Sequence, residues 1–541
     1  YEYNKINIYQ ISKPTTKLSF QIPDANHKVE KIAFKAVEKV YGTNQAIEIS
    51  ESWKRATITN ESLIDDLFRN NSKGVPKCKD QNYLDALNYV KQLTQPDTKL
   101  KTVHMSGARF YDLNNSGSAE LPYVNDPIFR KYIQTLYNAG HIQNANLTKG
   151  NGRNFIWEKE RIKIHQIKDR SLPYNTLLYD TRMHARSHLS STDVADKVRA
   201  VYGVSCTVIY IEIMILWALM THLKDSNSFI AWGYETFKGG LHRLKEDVSS
   251  YDLHFSLDFS TFDKLIPFWL IDDIHEIWKS YYILGPYYMD DPNYPNPETT
   301  HERINSLWTF MNYAVKHMIY RAPDGSRYKR RHSGIPSGLL QTQMLGSYAN
   351  LIMVLSALFS MNIDVRSVLA KILGDDSSFS LKKLNLLPQE ILNGITKYCK
   401  LHFNAIIHVD KSIFTYGSEN LQFLSYRYYN GAVRRVNDDL LGKLLYPERA
   451  HFDVQTTKTR ALGILVANLG YDYYVHLVCH DILNYLSNVE YSTSSLDWYD
   501  RQQVEYILEH YNSIPTRDEL FSLGRTIDYS VDVSNFHKYI R

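Results

Sequence analysis

Three short segments carry residues whose types and spacing can do chemistry. Residues 254–263 read HFSLDFSTFD and hold Asp258 and Asp263. Residues 333–352 read SGIPSGLLQTQMLGSYANLI, a glycine- and serine-rich loop running into an apolar stretch. Residues 369–381 read LAKILGDDSSFSL, with Asp375 and Asp376 adjacent at the centre. Carboxylates are the ligands that hard divalent cations prefer. A loop of small hydroxylated residues opening a helix can hold a sugar or phosphate on backbone N–H groups. The chemistry to look for is therefore metal-assisted transfer on a phosphorylated substrate.

The elements that must position these residues follow from periodicity. His254, Ser256 and Asp258 alternate with Phe255, Leu257 and Phe259, which predicts a strand ending in a turn. A helix is expected next, over 264–278 (KLIPFWLIDDIHEIW). Gly374, Asp375 and Asp376 lie between two apolar runs and predict a hairpin with carboxylates at its tip. Each segment alone also has a plainer reading. Asp258 and Asp263 fit solvated loop residues, Ser337 fits the cap of a core helix, and paired aspartates occur in structural turns. The order and spacing favour chemistry. Asp258 and Asp375 are 117 residues apart, with the loop–helix between them. Two strand-borne aspartates on one sheet can bind two divalent cations about 3.5–4 Å apart and serve in-line nucleotidyl transfer to a 3′-hydroxyl.

The rest of the 541-residue chain sets bounds. Hydrophobic residues make up 44%, enough for large cores, which excludes a disordered or collagen-like chain. The formal charge of +4 excludes a polybasic protein but leaves room for a local basic channel. Cys78, Cys206, Cys399 and Cys479 form no CxxC pair, so a cysteine zinc site is not expected and a reducing compartment is. His254 and His332 show no metal-ligand spacing. The first ten residues contain no apolar signal core. Residues 201–220 are long enough for a membrane span, but Glu212 at the centre makes a buried core element the better reading. The 41 tyrosines are scattered along the chain, a pattern of composition rather than of base stacking. A helix is expected near 83–92, loops over 105–125 and 285–297, and helices after about 430.

The ordered set resembles the palm of viral RNA-dependent RNA polymerases: D-x4-D as motif A, SG…T as motif B and GDD as motif C. It is most similar to the partitivirus polymerases, with the picobirnavirus type a near relative. VRAVYGVS (198–205) resembles motif F, VDKSIF (409–414) matches motif D by position, FLSYRYYNGAVRR (423–435) is similar to motif E, and LLYPE (444–448) resembles a run in the partitivirus thumb. The match spans roughly residues 182–448.

The resemblance implies an α+β right-hand fold of fingers, palm and thumb, with a small antiparallel palm sheet surrounded by helices. The expected divisions are an N-terminal extension bridging fingers and thumb (1–95), fingers (96–250), palm with motif A (251–280), a fingers insertion (281–330), palm with motifs B to E (331–430), and thumb with the C-terminal region (431–541). It implies that Asp258, Asp375 and Asp376 bind Mg²⁺, with Mn²⁺ able to substitute, and that Lys411 protonates pyrophosphate, with a solvated lysine beside Asp410 the plain alternative for Lys411. Asp263 would recognise the ribose 2′-hydroxyl. Ser337, Thr342, Lys197 and Arg199 would place the nucleotide. Many relatives carry Asn nine residues after the motif B serine; here that position is Gly346, and Asn350 is the candidate for holding Asp263. Arg182, Arg186, Gly338, Arg330, Arg331, Arg434 and Arg435 are candidate RNA contacts, and solvated surface charge is the plain alternative for Arg182, Arg186 and the basic run YKRRH (328–332). The implied partners are template and product RNA, NTPs and a viral capsid protein, with no membrane, for a monomeric catalytic unit in the virion interior or host cytoplasm of a double-stranded RNA virus. A reverse transcriptase-like palm polymerase and an inactive RNA-binding, capsid-associated scaffold are the alternatives. GDD with Asp263 argues against the first, and the intact aspartates and Arg199 argue against the second.

Overall fold

The segment 369–381 folds as its alternation predicts, into two strands, Leu369–Leu373 and Asp376–Leu381, joined by a two-residue turn with Leu373 opposite Asp376. This computed structural model describes residues 1–15, 28–235, 237–448, 453–493 and 498–526. Among them the hairpin extends into a four-stranded antiparallel sheet, in the order Leu369–Leu373, Asp376–Leu381, Leu253–Ser256, Ile413–Tyr416. Helices Thr342–Ser360, Gln81–Leu93 and Pro388–Phe403 pack behind it.

Two local expectations need correction. The motif A strand ends at Ser256, two residues before Asp258. Its alternation is not one of inside and outside, because His254 and Phe255 are both buried. The strand is an inner one, and His254 Nδ1 shares a 2.7 Å hydrogen bond with Ser380 Oγ on its neighbour. The helix expected from Lys264 is interrupted. A single turn, Phe262–Leu265, is followed by a helix starting at Phe268, because Pro267 disfavours helical backbone at Ile266 and pre-sets a helix start.

A five-stranded sheet lies on the other side of the site, in the order Ile8–Ser12, Arg327–Arg330, Tyr320–Arg321, Thr181–Ser187, Val198–Gly203. The N-terminal strand therefore pairs with a strand more than 300 residues away. The helix Lys31–Tyr41 then packs with Leu440–Leu445, Val454–Asn468 and Tyr473–Tyr485 in a separate apolar core. A small three-stranded sheet, Gln422–Phe423, Tyr426–Tyr429 and Ala432–Arg435, leads into those helices.

The apolar stretch around 201–220 forms the helix Cys206–Asp225, buried along almost its whole length. It and Thr342–Ser360 are long and apolar enough to cross a membrane, and both pack inside the protein. Each fully buried Leu or Ile in them contributes about 2 kcal/mol. Residues 105–125 are mostly irregular, as expected, apart from the turns Met105–Ala108 and Tyr123–Asn125. The loop 285–297 is irregular too, but it is anchored by buried Tyr288 and Asp291. All four cysteines are free and buried. Residues 494–497 of the stretch YSTSSLDWYD (491–500) lie outside the described residues.

Candidate active site

The motif C turn starts at Gly374, whose φ of 65° is costly for a residue bearing a Cβ; Asp375 follows without a positive φ. Glycine at the first central position is what a two-residue hairpin of this kind requires. Asp375 and Asp376 stand at the tip, reached by solvent but crowded by the surrounding protein. The neighbouring strand pairs Phe379 with Phe255. Continued three residues beyond that pair, two past the strand end, this register would set Asp258 across from Asp376. The Asp258 backbone is pinned on both sides, its N–H donating to Ser412 Oγ at 3.0 Å and its carbonyl accepting from His408 N at 2.8 Å. The short turn after motif A then presents Asp263, and its carbonyl accepts the Ile335 N–H of the motif B loop at 2.7 Å.

Asp258, Asp263 and Asp375 line one cavity of about 560 Å³. Lys197, Arg199 and Lys411 line the same cavity, so carboxylates and cations share one open-mouthed cleft. The electrostatics record the crowding. Burial, then the Asp375 charge, pushes Asp263 up to about 7, against the pull of Arg199 and Lys264. Burial followed by Asp375 and Asp258 lifts Asp376 to about 6. Asp375 is raised as well, first by burial and also by Asp258, with Arg199 opposing. Lys197 is lowered by burial and then by Arg199, Arg69 and Lys411. Like charges that raise one another this way are stabilised by a cation between them. The oxygen donors fit a hard divalent ion, although among the described residues no three His, Cys, Asp or Glu side chains converge into a closed ligand set.

A family model described as viral RNA-dependent RNA polymerase matches residues 73–485. The chain belongs to that family. It is 25% identical to the RNA-directed RNA polymerase of Atkinsonella hypoxylon virus, over 76% of this chain and 70% of the relative. It is 24% identical to that of White clover cryptic virus 1, over 96% of this chain and 92% of the relative. The solved structure of the Sicinivirus 3Dpol RNA-dependent RNA polymerase superposes with a TM-score of 0.61 at 16% identity, covering 92% of this chain and all of that one. That likeness shows the right-hand polymerase fold. The protein is a viral RNA-directed RNA polymerase of partitivirus type, an enzyme that binds RNA template and NTPs, and its family works with divalent metal ions.

The polymerase keeps some expected residues at the cavity and uses others elsewhere. Ser337 lines it, and its hydroxyl is buried with no hydrogen-bond partner among the described residues. Ser337 does not cap the helix, which begins five residues later at Thr342. The N–H groups of Leu340 and Gln341 are instead taken by the Glu212 carboxylate at 3.0 and 2.9 Å. Thr342 spends its hydroxyl on the Pro336 carbonyl at 2.8 Å and does not line the cavity. Gly338 is exposed at the loop tip, with φ 92°, and a Cβ there would meet the Tyr202 carbonyl oxygen at 2.1 Å. Asn350 does not hold Asp263; its amide donates to the Gly374 carbonyl at 3.1 Å. Gly346 is the residue beside Asp263, a Cβ there lying 3.9 Å from the carboxylate.

Among the arginines, Arg186 lines the cavity and also makes a two-point ion pair with Glu448, at 2.9 and 3.1 Å. The other arginines proposed as RNA contacts have partners within the chain. Arg182 is largely buried and bound to Glu120 at 2.8 Å and Ser118 at 3.0 Å. Arg330 also lines the cavity, but it is buried and its guanidinium is spent on partners inside the protein. The alternation of the strand Arg327–Arg330 turns it inward, where it donates to the carbonyls of Gly334 and Val315 and lies over the rings of Phe268 and Tyr320. Arg331 stacks over Tyr9 at 3.8 Å and pairs with Glu2. Arg434 sits over Tyr429 and Tyr471, and Arg435 pairs with Asp439 at 3.1 Å; neither lines the cavity.

Two residues with structural control of the site were missed. Asp66, in a segment without a motif, accepts the Ala200 N–H at 2.9 Å and pairs with Lys264, tying the motif F strand to motif A. Glu212 was legible only as a carboxylate out of place in an apolar run.

Proposed function

We propose that this polymerase carries out template-directed RNA synthesis by two-metal nucleotidyl transfer on Mg²⁺, with Mn²⁺ able to substitute, for a double-stranded RNA virus. The observation that carries the reading is the single cavity in which Asp258, Asp263 and Asp375 face Arg199, Lys197 and Lys411. Asp258 and Asp375 hold the cations, with Asp376 in support. The chemistry such cations supply when bound is acidity for the primer 3′-hydroxyl and charge neutralisation at the leaving pyrophosphate. The chain's own residues do the rest. Arg199 binds the triphosphate with its fork of donors, and Lys197 adds charge beside it. Asp263 accepts a hydrogen bond from the ribose 2′-hydroxyl, and the free Ser337 hydroxyl faces the nucleotide. Lys411, which has no ionic partner among the described residues, donates a proton to pyrophosphate. Arg186 borders the path of the RNA backbone. The divisions into fingers, palm and thumb follow the expected boundaries, with residues 1–95 bridging fingers and thumb: the strand Ile8–Ser12 on one side and the helix Lys31–Tyr41 on the other support this. The enzyme acts as a monomeric catalytic unit inside a capsid in the host cytoplasm, making both genome and transcripts.

The test is incorporation of labelled NTPs on single-stranded RNA without primer, in Mg²⁺ and in Mn²⁺, comparing wild type with Asp375→Asn. Template-length product lost in the variant supports the assignment; equal product from both refutes it.

A further inference from the structure

In a two-residue hairpin the peptide groups of the turn have no ladder partner. Here both polar groups of Gly374 are taken by one helix. The Gly374 N–H donates to Ser347 Oγ at 2.9 Å, and the Gly374 carbonyl accepts from Asn350 Nδ2 at 3.1 Å. Ser347 and Asn350 are three residues apart on Thr342–Ser360, so they share a face. Both are completely buried within an otherwise apolar run. Burying an amide there is costly unless it is hydrogen-bonded. Ser347 is held in turn by its own bond to the Gln343 carbonyl at 2.7 Å. The Gly374 Cα lies 3.7 Å from where a Cβ on Gly346 would be, so helix and turn are in direct contact.

We propose that Ser347 and Asn350 form a clamp on the Gly374 peptide that sets the position of Asp375 and Asp376. They are positioning residues: neither reaches the cavity, and their effect passes through the turn. The clamp rests on the reading of Asp258 and Asp375 as metal ligands. The same helix begins at the loop bearing Ser337, so one rigid element fixes both the nucleotide-facing loop and the carboxylate turn. Partners of this kind that orient metal ligands are worth roughly 10- to 100-fold in metal affinity or activity when removed.

The test uses the full chain with Mn²⁺ alone, titrated and followed by the electron paramagnetic resonance of the free ion, together with kcat and KM for NTP. The variants are Ser347→Ala, Asn350→Ala, Asp375→Asn and the control Ser356→Ala. Ser356 is equally buried on the same helix and makes the same kind of bond, to the Ile352 carbonyl, away from the turn. The clamp predicts Mn²⁺ binding weakened roughly 10- to 100-fold in Ser347→Ala and Asn350→Ala but not in Ser356→Ala. It also predicts a fall in kcat with NTP KM held within about twofold. Ser347→Ala deletes one atom and carries the test if Asn350→Ala does not fold. Mn²⁺ affinity and kcat in Ser347→Ala equal to those of Ser356→Ala would overturn the clamp. Binding unchanged in Asp375→Asn would instead overturn the metal reading on which it rests.

Discussion

Replacing Glu212 by Gln tests whether a buried carboxylate holds the motif B loop. The side chain is fully buried, and its two oxygens take the N–H groups of Leu340 and Gln341 at 3.0 and 2.9 Å. Burial pushes its pKa from 4.5 up to about 7, only partly offset by those two donors. That rise corresponds to about 3 kcal/mol against the ionised form. Between pH 4.5 and 7 the native state keeps a proton that the unfolded state has lost. The group's contribution to stability therefore falls as pH rises through that window and levels off above it. Glutamine never ionises. Its amide keeps one acceptor oxygen while its NH2 can only donate, so one of the two N–H groups loses its partner at every pH, and Glu212→Gln should be the less stable at pH 5 by about 1–3 kcal/mol. By pH 8 that deficit should have shrunk by about 2–3 kcal/mol, because only the wild type loses stability across the window. Urea denaturation of both proteins from pH 5 to pH 8 measures the gap. A gap that does not change with pH would show that Glu212 is not the buried titrating group described. Glu212→Ala should behave differently, losing about 2–6 kcal/mol at every pH because both N–H groups are orphaned.

Other consequences are open to measurement. Asp263→Ala should narrow the preference for NTP over dNTP by roughly 10- to 100-fold, read as the ratio of kcat/KM values; an unchanged ratio would remove Asp263 from ribose recognition. Asp376 titrates near 6, so Mn²⁺ binding should weaken as pH drops from about 7.5 to about 5.5 and protons compete for the carboxylates. Flat affinity over that range would contradict the site. Arg330→Ala should cost about 3 kcal/mol of stability, by orphaning two carbonyls and two aromatic contacts, while leaving the salt dependence of RNA binding unchanged. Arg186→Ala should reduce that salt slope by about one, and Arg199→Ala should raise the NTP KM. A lower salt slope in Arg330→Ala would return that residue to the RNA path.

The parts of the site that could be read from the sequence are those set by local geometry. Gly374 marks a turn, alternation marks its strands, and the order of the three segments restricts which sheet brings Asp258 to Asp375. The basic residues were harder, because a charge in a sequence gives its sign and not its partner. Arg182 finds Glu120, 62 residues away, and Arg330 turns inward because of its place on a strand whose other side is the N-terminal segment. The short motif A strand escaped for a related reason. Its alternation implies one wet face, but as an inner strand it has both faces covered, so the pattern does not measure its length.

What remained hidden lies mostly within the two most apolar helices, Cys206–Asp225 and Thr342–Ser360. Read by hydropathy, each is a core element and nothing more. Each also contains polar groups at full burial; Ser356 bonds within its own helix, but Glu212 in one and Ser347 and Asn350 in the other reach beyond the helix that carries them. Glu212 bonds backbone 128 residues away, and Ser347 and Asn350 bond backbone 27 and 24 residues away. In each case the backbone belongs to a segment that carries site residues: the loop of Ser337 or the turn of Asp375. Loop backbone at such a site needs partners that do not move, and rigid, well-packed helices are where such partners can be mounted. A polar residue interrupting a long apolar helix is therefore a signal in its own right, because its desolvation must be offset by something, and here the offset is the backbone geometry of the active site.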